Sequence, residues 1–134
     1  MSSFHLEILT PFGHYFNGDV EYLEFRNPDG VLGILPRHTP LITPVVLCEI
    51  ILKIKGKRHA YASTGGLFNM KKDGTASLML QTIERSDEID VPRAKRAKER
   101  AEARLASHKE NINIERAKEA IRRAENRINV AKDK

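Results

Sequence analysis

The segment Ile89–Val130 contains one local pattern twice, with the second copy 23 positions after the first. One copy reads Ile-Asp-Val-Pro-Arg-Ala-Lys and the other reads Ile-Asn-Ile-Glu-Arg-Ala-Lys. Asp90 and Asn113 are residues that cap helix N-termini, and the isoleucine before each is placed as a hydrophobic staple. Pro92 falls in a first turn, where its missing N–H costs little. The pattern predicts two helices of similar design that join near Ser107–Ile112 as a hairpin.

The apolar seam of these predicted helices consists mainly of alanine. The positions at helical spacing are Ala94, Ala97, Ala101 and Leu105 in the first helix, and Ala117, Ala120, Ala124 and Ile128 in the second. Alanine favours helix formation, but each buried methyl contributes only about 0.8 kcal/mol. The apolar area buried between two such short helices therefore offsets the entropy lost on ordering them by only a narrow margin. We expect the hairpin to be conditional on a second surface, a ligand or a partner.

Arginine dominates the other face of both predicted helices. This cationic face consists of Arg93, Arg96, Arg100 and Arg104 in the first helix, and Arg116, Arg123 and Arg127 in the second. One interpretation is a solvated surface in which Glu99, Glu102, Glu119 and Glu125 supply local ion pairs. The other is an anion-binding face, since guanidinium groups make bidentate contacts with phosphate and carboxylate.

The basic character of the chain lies in this C-terminal part. Residues 1–86 contain 9 Lys/Arg and 8 Asp/Glu, a net charge of +1. Residues 87–134 contain 14 Lys/Arg and 10 Asp/Glu, a net charge of +4. A single cysteine, Cys48, excludes an internal disulfide and fits a reducing compartment. No segment reads as a signal peptide, and the longest apolar run, Leu41–Leu52, is too short and polar to span a bilayer. We therefore expect membrane association only through a partner.

The N-terminal part has the pattern of a β-protein. Apolar and polar residues alternate over Phe4–Leu9, as in a half-buried strand. Turn-forming residues follow at Asn17–Asp19, Asn27–Gly30, Lys55–Lys57 and Asp73–Gly74. About eight to ten short strands at this spacing favour an antiparallel sandwich or barrel. We predict a β-sandwich.

The predicted domains are residues 1–85, the β-sandwich, and residues 86–134, the helical hairpin. The polar segment Glu84–Glu88 is expected to be an exposed linker and hinge between them. Within the sandwich, two prolines stiffen the loop Gly33–Leu41, which begins and ends in apolar residues.

Few residues suggest enzymatic chemistry. The chain has neither a phosphate-loop lysine motif nor a dinucleotide fingerprint, and we interpret Gly65-Gly66 as a turn. His38 lacks a Ser, Cys or carboxylate partner nearby in sequence, so we expect a structural or partner-contact role for it. The other histidines lack metal-ligand spacing, so no metal site is predicted. Cys48 is expected to be a small core residue.

Two segments together resemble a known family. Gly33–Leu41 reads Gly-Ile-Leu-Pro-Arg-His-Thr-Pro-Leu, and Ile89–Ala94 reads Ile-Asp-Val-Pro-Arg-Ala. With the order of strands and then two Ala- and Arg-rich helices, they resemble the epsilon subunit of bacterial F-type ATP synthases over essentially the whole chain. The second segment is similar to part of the ATP-binding site of bacillus-type members.

The resemblance implies a non-catalytic central-stalk rotor subunit that couples the gamma subunit to the membrane ring of c subunits. The sandwich would bind both, and Arg37 and His38 are expected to contact a partner. The hairpin would inhibit ATP hydrolysis when it extends into the alpha/beta catalytic head, and ATP would hold it folded down. ATP is thus implied as a regulatory ligand and not a substrate, with the need for magnesium left open. The implied location is peripheral, at the cytoplasmic face of the bacterial cell membrane, without direct membrane insertion.

The resemblance also implies a set of nucleotide-binding residues. They are Glu84, Ile89, Asp90, Arg93, Ala94, Arg100, Arg116, Arg123 and Arg127. Ile89, Asp90 and Ala94 match positions at the adenine end, the arginines match basic positions of the pocket and hairpin, and Glu84 matches a nearby linker carboxylate.

Two alternatives remain open from the residues themselves. A nucleic-acid-binding module would place the basic hairpin on phosphate backbones and show steeply salt-dependent binding. Acidic residues interrupt that face, however, and no aromatic residue is available there for base stacking, so no nucleic-acid partner is predicted. A small enzyme that uses His38 is the third class.

Overall fold

The computed structural model describes residues 2–107 and 113–133. The chain divides into two compact units, Met1–Arg85 and Ser86–Lys134. The first unit contains ten strands in two five-stranded sheets, and the second contains two α-helices. The predicted β-sandwich followed by two helices is confirmed.

The strands are β1 Phe4–Thr10, β2 Gly13–Val20, β3 Tyr22–Asn27, β4 Gly30–Ile34, β5 Leu41–Val45, β6 Cys48–Ile54, β7 Lys57–Ser63, β8 Gly66–Met70, β9 Ala76–Leu80 and β10 Glu84–Arg85. A 3₁₀ turn at Ser86–Glu88 precedes helices α1 Val91–Ala106 and α2 Ile114–Lys132. The first sheet has the order β2-β1-β9-β8-β5, and the second has the order β10-β7-β6-β3-β4. One pairing departs from the predicted antiparallel pattern, because β1 and β9 run parallel.

The core of the first unit lies between its two sheets. Alternate residues of β1, namely Phe4, Leu6 and Ile8, are buried. Phe25 of the second sheet meets Phe68 of the first, with ring centroids 5.1 Å apart. Such pairing of inward-facing side chains is how two sheets form a sandwich core.

Cys48 belongs to this core, as predicted. Its side chain is 3% exposed and clusters with the other buried residues of the sandwich. Burial raises the pKa of the Cys48 thiol, which keeps it protonated at neutral pH and unreactive as a nucleophile.

The prediction of a turn at Asn17–Asp19 is wrong. These three residues continue β2 and pair with β1, with Gly18 opposite Leu6. The chain instead leaves the first sheet at Glu21, a bend between β2 and β3. Asn and Gly permit a turn but do not require one, and the ladder with β1 stabilises extended backbone here.

Two predicted loops are shorter than expected. β4 takes Gly33 and Ile34 from the predicted loop Gly33–Leu41. Glu84 and Arg85 pair with Ala62 and Tyr61 of β7 as β10, and Ser86–Glu88 forms the 3₁₀ turn. The polar segment predicted as an exposed linker and hinge therefore contains regular structure, because a polar strand can still complete a sheet edge.

The two helices begin as the repeated pattern predicts. The Asp90 carboxylate accepts the N–H of Arg93 at 3.1 Å, and the Asn113 side-chain oxygen accepts the N–H of Arg116 at 3.0 Å. Pro92 lies in the first turn of α1. Both caps satisfy a backbone donor that has no partner within its helix.

The far end of α1 is described only in part. The Ser107 N–H bonds to the carbonyls of Ala103 and Arg104 at 3.1 and 3.3 Å. Beyond Ser107, the predicted join of the helices and the second isoleucine staple fall on residues 108–112, outside the described residues.

An arginine-lined groove in the helical hairpin

The helices α1 and α2 pack against each other along small side chains. Ala94, Ala101, Ala117 and Ala124 are buried, with 0%, 5%, 7% and 3% exposure, respectively. The other predicted seam residues, namely Ala97, Leu105, Ala120 and Ile128, are half-buried. The predicted alanine seam is thus confirmed, and it contributes little apolar area per turn.

A groove of about 850 Å³ lies between the helices. Its lining comprises Ala97, Arg100, Ala101, Ala103, Arg104 and Ser107 from α1 and its C-cap, and Asn113, Arg116, Ala117, Ala120 and Arg123 from α2 and its N-cap. The C-terminal half of α1 thus faces the N-terminal half of α2, as antiparallel helices require. The floor is alanine, and the charged side chains of the lining are all arginine.

The arginines of the groove are poorly neutralised by the residues that the structure describes. Among the described residues, Arg100, Arg104 and Arg116 form no ion pair. Arg123 pairs with Glu119 at 3.4 Å, but both side chains are substantially exposed. Exposed pairs of this kind contribute roughly 0–1 kcal/mol. Like charges one helical turn apart, such as Arg100 and Arg104, repel, so a bound anion would relieve repulsion as well as form new bonds.

The charged recognition groups of the groove are the guanidinium side chains. Asn113 lines the groove at the start of α2, where its side-chain oxygen accepts the Arg116 N–H and its NH2 group is a neutral donor. Guanidinium groups on two helices can contact one anion from both sides. The chemistry of these side chains suits phosphate groups, which accept bidentate arginine contacts.

The structure brings three of the predicted nucleotide-binding residues into one groove, namely Arg100, Arg116 and Arg123. Arg104 was placed on the cationic face but not among the predicted site residues, and it also lines the groove. Its spacing of four residues from Arg100 places both on one helix face, but Arg96 has the same spacing and is absent from the lining, so spacing alone does not identify Arg104.

The remaining predicted residues lie elsewhere. Asp90 caps α1, Arg93 is exposed in its first turn, and Ile89 and Ala94 are buried. Arg127 is half-buried in the C-terminal half of α2, and Glu84 lies in β10. Among described residues, the lining of the groove therefore omits these six, and the nucleotide role inferred for them stays a prediction.

Arg37 and His38 lie in the loop between β4 and β5. The His38 N–H bonds to the Leu35 carbonyl at 3.2 Å, and its Nδ1 lies 2.8 Å from the Thr39 carbonyl oxygen. Arg37 has a backbone φ of 69°. These contacts build a tight turn at Leu35–His38.

Neither a membrane-spanning helix nor a metal cluster is found in the part of the chain that the structure describes. Neither α1 nor α2 has the length and hydropathy needed to cross a bilayer. Within residues 2–107 and 113–133, no group of three or more His, Cys, Asp or Glu side chains is arranged to hold a metal ion.

Comparison with known families divides the chain in the same region as the structure. The family described as ATP synthase, Delta/Epsilon chain, beta-sandwich domain matches residues 3–86. The family described as ATP synthase, Delta/Epsilon chain, long alpha-helix domain matches residues 87–132.

Similar proteins and structures agree with these matches. The ATP synthase epsilon chain of Alkalihalophilus pseudofirmus is 37% identical over 83% of both chains, and that of Ruminococcus albus is 36% identical over 100% of both. A chain of the Euglena gracilis mitochondrial ATP synthase structure (OSCP/F1/c-ring) has a TM-score of 0.83 at 20% identity, covering 93% of this chain and 79% of that one. With both of its parts matched by family and its full length matched by a relative, the chain belongs to the ATP synthase epsilon-chain family.

Proposed function

We propose that this chain is a central-stalk rotor subunit of an F-type ATP synthase, located peripherally at the cytoplasmic face of the bacterial membrane. Its sandwich couples the gamma subunit to the ring of c subunits. Its hairpin regulates ATP hydrolysis, and ATP stabilises the paired conformer of the two helices. Catalysis resides on other subunits.

The arginine-lined groove is the observation that carries the regulatory part of this proposal. Its arginines come from both helices, so the pairing of the helices is what brings them to one groove. The alanine seam supplies little stability of its own, and a ligand that binds one conformer better shifts the population toward it. ATP brings three phosphates to such a groove, so it is suited to act as that ligand.

The outer face of the first sheet supports the docking part of the proposal. Leu9 of β1 lies opposite Met79 of β9, Met79 lies opposite Leu67 of β8, and Leu67 lies opposite Pro44 of β5. Met79 is 41% exposed, Leu67 is 37% exposed, and Ile42, two residues from Pro44, is 68% exposed. These residues form an apolar row across four strands, which is typical of a protein-binding surface.

Charged substitutions in this apolar row test the docking surface. Leu67→Glu and Met79→Glu should each weaken binding to purified gamma subunit about tenfold or more, because an apolar partner surface would bury an unpaired carboxylate. Affinity is measured by calorimetry, and far-ultraviolet circular dichroism checks that the sandwich stays folded.

Val31→Glu is the matched control for this test. Val31 is an exposed apolar residue, at 57%, but lies on β4 of the other sheet. Unchanged gamma binding is expected for it. If the Leu67 and Met79 variants also bind gamma as the parent chain does, the apolar row is not the docking surface.

Removing residues 88–134 tests the regulatory role of the hairpin. The truncated chain should stay folded, because the core cluster of the sandwich lies entirely within the first unit. Enzyme reassembled with it should hydrolyse ATP faster than enzyme reassembled with the full chain. Hydrolysis is followed by phosphate release at equal occupancy of the chain.

Equal hydrolysis rates with the full and truncated chains would contradict an inhibitory hairpin.

A gel-shift experiment at low salt addresses the alternative of a nucleic-acid-binding module. Salt-dependent retardation of generic duplex or single strands would favour that alternative.

A further inference from the structure

Glu119 lies between two groove arginines along α2. It follows Arg116 by three residues and precedes Arg123 by four. Residues at these spacings are neighbours on the surface of a helix. Arg116 and Arg123 both line the groove, whereas Glu119 does not belong to its lining. The Glu119 carboxylate is thus placed beside the groove, next to side chains that line it.

The Glu119 carboxylate occupies one terminal nitrogen of Arg123. Its Oε1 lies 3.4 Å from Arg123 Nη1. Phosphate binds a guanidinium best when it contacts two nitrogens of the fork. An anion that takes both terminal nitrogens of Arg123 must therefore displace Glu119 from Nη1.

The negative charge of Glu119 also acts against an anion at this position. Arg123 is the groove arginine that has a carboxylate partner among the described residues, so its charge is the one that is offset. A phosphate bound to Arg123 would lie close to that carboxylate, and the two negative charges would repel. The side chains of Arg123 and Glu119 are 43% and 59% exposed, respectively, so water and salt screen this repulsion and the effect is moderate.

We propose that Glu119 competes with the phosphates of ATP for Arg123 and thereby lowers the affinity of the groove for ATP. This inference rests on the proposed function, because it takes ATP to be the ligand of the groove. Binding exchanges an internal carboxylate for a phosphate at Arg123. Glu119 thus raises the ATP concentration at which the paired conformer of the helices predominates.

Glu119→Gln tests the competition, because it removes the charge and keeps the size of the side chain. The variant should bind ATP about two- to fivefold more tightly than the parent chain, since the exposed ion pair that ATP replaces is a weak one. Nuclear magnetic resonance titration of the isolated full chain with ATP measures both affinities. Far-ultraviolet circular dichroism checks the helix content, because the Glu119–Arg123 pair also supports α2.

Two arginine backgrounds show whether the effect acts through Arg123. In Arg100→Ala, which keeps the Glu119–Arg123 pair, adding Glu119→Gln should again tighten ATP binding about two- to fivefold. In Arg123→Ala, adding Glu119→Gln should leave the ATP affinity nearly unchanged, because the contact under competition is already absent. An equal gain in both backgrounds would contradict competition at Arg123.

Glu125→Gln is the matched control for charge. It removes an equal charge from an exposed position on the same helix, and the carboxylate that pairs with Arg123 is that of Glu119. Its ATP affinity should equal that of the parent chain. Equal tightening by Glu119→Gln and Glu125→Gln would show that net charge, and not the ion pair, governs the affinity.

The outcomes distinguish this inference from the function on which it rests. If Glu119→Gln binds ATP no more tightly than the parent chain, the competing role of Glu119 is wrong while ATP stays the ligand of the groove. If the parent chain and Glu119→Gln both fail to bind ATP, the proposed regulation by ATP fails, and the inference fails with it.

Discussion

Replacing Arg100 or Arg123 with alanine is expected to weaken ATP binding to the isolated chain roughly 10- to 100-fold, and replacing both should abolish measurable binding at millimolar ATP. Each change removes a charge-assisted contact, which contributes about 1.5–3 kcal/mol. The two residues come from different helices and line the same groove. Calorimetric titration with ATP measures the effect.

Conservative and distant variants sharpen this test. Arg100→Lys keeps the charge but loses the fork, so an intermediate loss indicates bidentate phosphate contact. Arg96→Ala removes an exposed arginine of α1 that the groove lining omits, and we expect ATP affinity to be unchanged. Equal weakening by Arg96→Ala would show that net charge, not the groove, governs the interaction. Retained affinity in Arg100→Ala and Arg123→Ala would show that ATP binds elsewhere.

Gly66→Ala is expected to destabilise the sandwich by about 3 kcal/mol or more. A Cβ at Gly66 would lie 1.8 Å from the Met79 carbonyl oxygen and 2.9 Å from the Leu80 Cα, both backbone atoms of the paired strand β9. Backbone in the interior of a sheet cannot move aside without breaking the ladder of hydrogen bonds. The loss in free energy of unfolding caused by overpacking is therefore expected at the upper end of its usual range. Urea denaturation of the full chain, followed by circular dichroism, measures the loss.

Gly18→Ala is the matched control for Gly66→Ala. Gly18 also lies in a strand of the first sheet, but the atoms nearest to its Cβ would belong to the Phe16 ring, the first at 3.2 Å. That side chain can rotate, so a change within about 1 kcal/mol is expected. Similar free energies of unfolding for both variants would contradict the steric explanation for Gly66.

Local signals in the sequence were sufficient for the helical part. Asp90 and Asn113 cap their helices as predicted, because a cap depends on residues within one turn of itself. The alanine seam followed from the 3.6-residue period alone. Which arginines share a groove did not follow from that period. Arg104 joined the groove although it was not predicted as a site residue, because the antiparallel pairing of α1 and α2 decides which half of each helix meets the other.

Turn and strand signals in the sandwich were less decisive. The reversal at Lys55–Lys57 was predicted, and Lys55 and Gly56 both have positive φ there. The turn predicted at Asn17–Asp19 was wrong, since those residues lie opposite β1 and continue the ladder. A turn-forming residue permits a reversal, but a neighbouring strand determines whether one occurs.

From the sequence alone came the two-part architecture, the helix caps, the alanine seam and the cationic face, because each depends on residues close together in the chain. Only the tertiary structure decided the parallel pairing of β1 with β9, the apolar row across four strands, the lining of the groove and the tight turn at Leu35–His38. These features join segments far apart in sequence or depend on one backbone angle. Their energies come from long-range contacts and backbone conformations, which the local pattern of residues does not determine.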